Sequence, residues 1–153
     1  MASVGDKVPD VAFEGPAGAQ TTLAAWRDAP LVLYFYPKDD TSGCTREAQD
    51  FTALADDFAA AGVALLGVSK DTVKKHKAFT EKYGLKVPLA TDADGALLKG
   101  FGAWVEKSMY GRKYMGIERS TFLIDKDGRI AREWRKVKVP GHAQEVLEAA
   151  RSL

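Results

Sequence analysis

"LVLYFYPKDDTSGCTREAQDFTALADDFAAAGVALLGV", residues 31–68, decides the fold. Its first six residues form an unbroken apolar run after Pro30, which reads as a strand buried on both faces. Ala48, Phe51, Leu54, Ala55 and Phe58 then recur at helical spacing, predicting a helix over about 44–61, and Gly62 supplies its stop. "VALLGV", residues 63–68, predicts a second buried strand. Strand, helix and strand in that order form a crossover unit, so the two strands are expected to run parallel.

Outward from this unit the signals are shorter. Asp71 suits the cap of a helix over 72–83, ended by Gly84, and a short helix is expected over 94–101. Residues 120–125 and 129–134 read as strands joined at Asp127-Gly128, a strong hairpin signal. Val146, Leu147 and Ala150 suit a closing amphipathic helix over 142–152. The stretch "VPDVAFEGPAGAQTTL" looks like an N-terminal β-hairpin. Residues 102–118 read as an irregular loop, long enough to be functional. The expectation is an α/β fold: one domain, 1–153, with a mixed central sheet flanked by helices.

Several function classes are excluded. Lysine and arginine total 22 against 21 acids, a net charge of +1, so no electrostatic argument favours nucleic acid or an anionic membrane. No apolar run approaches the roughly 20 residues of a membrane span. "MASVGDKVPD" lacks the pattern of a signal peptide, and a cytoplasmic protein is expected. One cysteine excludes an internal disulfide, a multi-cysteine metal site and a dithiol exchanger. Two histidines and one cysteine do not make a zinc site. "DKDGR", residues 125–129, opens like a calcium loop, but its twelfth position is Lys136. "DADGALLKG" lacks the spacing of a phosphate loop. No cofactor and no metal are expected.

That one cysteine, Cys44, falls just past the end of the first long strand, in the first turn of the following helix. Thr41 or Ser42 suits the N-cap. First-turn amides lack intrahelical partners and carry partial positive charge, which favours a thiolate. Ligands also bind at the ends of open α/β sheets. A lone cysteine is equally a small buried hydrophobe, and position does not separate the two. Its neighbours do more. Pro37 and Thr41 precede Cys44 by seven and three residues, a P-x-x-x-T-x-x-C pattern. A hydroxyl there can bond whatever meets the sulfur, and a proline covers it without a competing amide donor.

With those residues in view, "YFYPKDDTSGCTREAQDF" resembles the active-site segment of the peroxiredoxins, in the bacterioferritin-comigratory-protein (Q-type) group. "GVSKDTVKKHKAFTEKYGL", 67–85, and "YGRKYMGIERSTFLIDKDGRI", 110–130, are similar to that group's middle and later segments. The resemblance implies a thioredoxin-like fold and reduction of hydrogen peroxide and organic hydroperoxides. It implies that Cys44 is the peroxidatic cysteine, Thr41 the hydrogen-bonding partner of peroxide and thiolate, Pro37 the shield, and Arg119 the thiolate-stabilising arginine. Glu47 resembles a position that orients the arginine. Such chemistry suits these residue types, since a guanidinium keeps its charge and fixed donors stabilise charge leaving the sulfur.

Where relatives carry a second, resolving cysteine, this chain has Gln49, and residues 71–84 have none either. The resemblance then implies a one-cysteine cycle. An external thiol (glutathione, glutaredoxin or thioredoxin) must take up the oxidised sulfur. A monomer or weak homodimer is expected. Trp104 and Tyr110 are candidates for an apolar collar over Cys44 that binds substrate. Two other readings stand beside this one. A cysteine hydrolase would need His76 or His142 beside the sulfur. A thioredoxin-fold binding or chaperone module would not need the thiol.

Overall fold

The structure, a computed structural model, describes residues 2–153. Among these the chain runs β1 (Phe13–Glu14), β2 (Gln20–Thr21), a 3-10 turn (Leu23–Trp26), β3 (Leu31–Phe35), α1 (Ser42–Ala53), α2 (Ala55–Ala60), β4 (Ala64–Ser69) and α3 (Val73–Tyr83). It continues through β5 (Leu89–Thr91), α4 (Ala96–Phe101), β6 (Trp104–Met109), β7 (Arg112–Ile117), β8 (Ser120–Ile124), β9 (Ile130–Trp134) and α5 (His142–Arg151). Seven strands form one mixed sheet in the order β2-β1-β5-β4-β3-β8-β9, while β6 and β7 pair only with each other.

The alternation of β3 builds both cores. Val32 and Tyr34 face Cys44, Ala48 and Phe51 of α1, Phe79 of α3 and Val146 of α5. Leu31, Leu33 and Phe35 face Leu97, Leu98 and Phe101 of α4 on the other side. Strands covered on both faces need apolar residues at every position, which is why 31–35 carries no polar alternation.

Register places the site. β3 runs parallel to β4, as the crossover requires, and antiparallel to β8, with Phe35 opposite Ser120. The chain therefore leaves β3 toward α1 beside the point where residue 119 enters β8. Two residues 75 positions apart are brought together by one strand pairing.

Four expectations differ from the structure. The helix over 44–61 is two helices with a break at Leu54, whose φ of −102° and ψ of 5° are not helical. This break leaves Phe58 on the same core as Phe51, ring centroids 6.0 Å apart. Thr72, not Asp71, caps α3, its side chain accepting from the Lys75 amide. Strand β5 lay unrecognised in "PLATD", too short at three residues to show a pattern. Residues 102–118 are not irregular: they form a hairpin arm that turns at Tyr110-Gly111, both with positive φ. Its signal was missed because Tyr-Gly is a poor match to the Asn-Gly or Asp-Gly turns of two-residue hairpins.

Candidate active site

Cys44 lies in the first turn of α1 and is 2% exposed, with its side chain in the core beneath β3. The Thr45 amide already bonds back to Thr41 O at 2.8 Å, so Cys44 sits within the turn whose amides point outward from the helix start. Arg119 arrives from the beginning of β8. Its Nη2 lies 3.4 Å from Cys44 Sγ, and its Nη1 donates to Glu47 Oε1 at 2.7 Å. Glu47 stands one helical turn beyond Cys44, so α1 presents sulfur and carboxylate on the same side and the guanidinium spans both. Gly43 permits the approach: a Cβ there would meet Arg119 Nη2 at 3.1 Å.

Electrostatics follow from burial. Glu47 is 1% exposed, and burial pushes its carboxyl up to about 7, with Arg119 pulling the other way. Burial alone would lower Arg119, but the Glu47 carboxylate and Cys44 beside it hold its guanidinium above the ordinary value. Tyr34, stacked on Phe51 behind the site, is raised well above the ordinary range by burial and by Glu47 and Cys44. Its hydroxyl and Glu47 Oε2 have no hydrogen-bond partner among the described residues. His142, the first residue of α5, accepts or donates at 2.7 Å with Thr121 Oγ1, and burial pulls it down to about 4.

The other named residues fall into place differently. Thr41 is the N-cap by backbone conformation, but its hydroxyl donates to Lys38 O at 2.9 Å and not to the helix or the sulfur. Pro37 is exposed at the end of β3. Tyr110 sits at the tip of the hairpin arm and is 99% exposed, so it forms no collar over Cys44. Trp104 packs against the opposite core, with Lys70 Nζ 4.5 Å from its ring centroid. Both are aromatics in a stretch that reads as a loop, and pairing into a hairpin directs them elsewhere. Gln49 is exposed. His76 is buried, but its partners are Asp39, Tyr36 and Ala90 O. Neither histidine bonds the sulfur; the charged neighbour of Cys44 is Arg119. Tyr34 and Gly43 were not singled out beforehand. The four-residue spacing of Gly43 and Glu47 on one helix is a signal for Gly43; Tyr34, inside an unbroken apolar run, leaves none.

The arrangement is a buried sulfur held next to a permanent cation that itself reaches the surface. A thiolate there keeps a donor aimed at the space beside it, where a second atom could develop negative charge. A cleft of about 530 Å3, lined by Val105, Lys107, Glu118, Arg119, Lys136 and Val137, reaches Arg119 from outside. Among the described residues no three His, Cys, Asp or Glu side chains gather in a way that could hold a metal ion.

Comparison with known proteins identifies the family and the fold. The AhpC/TSA family model matches residues 4–133. Peroxiredoxin Bcp of Xanthomonas campestris pv. campestris is 49% identical over 150 residues, covering 95% of this chain and 94% of its own. Peroxiredoxin Bcp of Bacillus subtilis is 45% identical, covering 98% and 96%. Among solved structures, PrxQ of Xylella fastidiosa superposes with a TM-score of 0.93 at 41% identity, over 99% of this chain and 97% of that one. The Xanthomonas campestris bacterioferritin comigratory protein, solved in trapped intermediate and ligand complexes bearing on its alkyl peroxide reduction activity, gives 0.91 at 46%, over 98% of each.

Proposed function

The chain belongs to the AhpC/TSA family, and from that premise we propose that Cys44 is its peroxide-attacking thiol. The protein is a thioredoxin-like peroxiredoxin, a thiol peroxidase. The Cys44 thiolate attacks the terminal oxygen of a hydroperoxide, the S–O bond forms as the O–O bond breaks, and the departing alkoxide or hydroxide takes a proton from solvent. Sulfur is oxidised to sulfenic acid and the peroxide is reduced to alcohol or water. Arg119 supports the thiolate and then the leaving oxygen, and Glu47 holds Arg119 in line. Thr41 and Pro37 are assigned to the substrate side of the sulfur by resemblance alone.

The observation that carries this reading is the single guanidinium shared between Cys44 Sγ and Glu47 Oε1. With one cysteine in the chain, regeneration needs two outside thiols. The first condenses with the sulfenic acid, releasing water; the second attacks the mixed disulfide and frees Cys44. Hydrogen peroxide and organic hydroperoxides are the expected oxidants, and glutathione, glutaredoxin or thioredoxin the expected reductants. That cycle needs a reducing compartment, which we take to be the cytoplasm. No helix among the described residues is long and apolar enough to cross a membrane. A monomer or weak homodimer is proposed.

Peroxide consumption with each reductant in turn tests the cycle. Cys44→Ser should reduce it to background with every one. Consumption that survives Cys44→Ser would refute the assignment.

A further inference from the structure

The loop from Tyr36 to Thr41 delivers the chain from β3 into α1, three residues before Cys44, and it is fastened to α3 at several points. Asp39, 9% exposed, receives the Tyr36 hydroxyl on Oδ1 at 2.6 Å and meets His76 Nδ1 with Oδ2 at 2.7 Å. The other ring nitrogen of His76 meets the Ala90 carbonyl at 2.9 Å. A carbonyl only accepts, so that nitrogen carries a hydrogen. The Asp39 amide donates to Asp71 Oδ2 at 2.8 Å, which also receives the Ser69 hydroxyl at 2.7 Å. Asp40 follows with a φ of 58°, in the left-handed region that costs a non-glycine residue free energy. Its carboxylate accepts from Lys82 Nζ at 2.8 Å and Tyr83 Oη at 2.5 Å, both on α3.

A buried polar contact of this kind is a weak source of stability, because desolvation offsets most of the attraction. It is better suited to selecting one geometry. The start of α1 needs such selection, since no side chain caps it. We propose that Asp39 and His76 are positioning residues for the peroxidase reaction: by seating residues 36–41 on α3 they set where Cys44 Sγ meets Arg119. The proposal rests on the reading of Cys44 as the peroxide-attacking thiol. Neither residue touches the sulfur. Their effect passes through the turn at Asp40 and the first turn of α1.

Two rates at Cys44 test it: reaction with hydrogen peroxide, which needs sulfur and Arg119 in register, and alkylation by iodoacetamide, which needs only an accessible thiolate. Asp39→Ala should slow the peroxide reaction by on the order of 10²-fold, the cost of a misplacement near 1 Å. Alkylation should fall far less, so the ratio of the peroxide rate to the alkylation rate should drop. Asp39→Asn, whose amide can still bond both Tyr36 and His76, should restore the peroxide rate. A folded Asp39→Ala protein with the wild-type ratio of the two rates, or an Asp39→Asn protein as slow as it, would overturn the proposal. If Asp39→Ala does not fold, Tyr83→Phe decides at an exposed contact. Loss of one hydrogen bond there should lower the ratio about threefold, and an unchanged ratio would overturn the seating. A wild-type protein inert to peroxide would instead refute the proposed function.

Discussion

Residues 36–47 and residues 104–117 make an instructive pair. In the first segment the polar groups are held by other parts of the chain: Asp39 and Asp40 by α3, Glu47 by Arg119. The second is a two-stranded arm whose one ion pair among the described residues, Lys113 with Glu106, is internal. Its Met109, Tyr110, Tyr114 and Met115 are exposed. Both segments are rich in residues that suggest function. Only the first has its polar groups held by hydrogen bonds and ion pairs from distant elements, and reactivity depends on that, because a nucleophile and its electrostatic partner must be fixed before the reaction.

If that contrast is right, Arg119→Ala should have the largest effect. Peroxide reduction should fall by about 10²- to 10³-fold, as when a preorganised donor is removed, in a steady-state assay of folded protein. Arg119→Lys should recover little, because an ammonium cannot bridge Cys44 and Glu47 in the bidentate way a guanidinium does. A fall below tenfold would erase the difference between the two segments.

Glu47→Gln should follow at roughly tenfold, since Arg119 keeps its charge but loses its anchor. The wild-type rate should also decline as pH falls below about 7, where Glu47 takes up a proton and releases its ion pair. The variant's pH profile should lack that inflection.

Stability sharpens the comparison next, since the site corner buries two titratable groups with large shifts, Glu47 and His142. His142 has its pKa lowered by burial from 6.5 to about 4. Between those values the unfolded chain binds a proton that the native state does not, so stability falls as pH falls. Glu47 has its pKa raised by burial from 4.5 to about 7, so in that window the native state binds the extra proton and stability falls as pH rises. Each slope is up to about 1.4 kcal/mol per pH unit, with opposite sign. They offset each other between pH 4.5 and 6.5. Denaturant titrations should therefore show stability rising with pH in Glu47→Gln and falling with pH in His142→Gln. The same sign in both would contradict the assignment.

Tyr110→Ala should change least. An exposed hairpin tip should shift stability by no more than about 0.5 kcal/mol. It should leave the preference between hydrogen peroxide and bulky alkyl peroxides unchanged. A changed preference would bring the arm back over the sulfur.

The same contrast explains what the sequence disclosed. The strands at 31–35 and 64–69 were legible because burial on both faces leaves an unbroken apolar run. Cys44 stood out from its place after such a strand. Arg119 was legible only through resemblance, because the pairing of Phe35 with Ser120 that brings it to Cys44 leaves no local mark. The Asp39 and Asp40 contacts span 32 to 43 residues and were invisible for the same reason. The arm misleads because aromatic residues in an apparent loop look like a pocket until strand pairing sends Tyr110 to the exposed tip and Trp104 to the opposite core.

The central claim is that Cys44, paired with Arg119, is the atom that reacts with peroxide. Reduced protein should be given one equivalent of hydrogen peroxide with dimedone present and followed by intact mass and peptide mapping. The account predicts rapid formation of one dimedone adduct, at Cys44, in the wild-type protein and much slower formation in Arg119→Ala. A Cys44 that stays unmodified for many minutes, or one that reacts equally fast without Arg119, would contradict it.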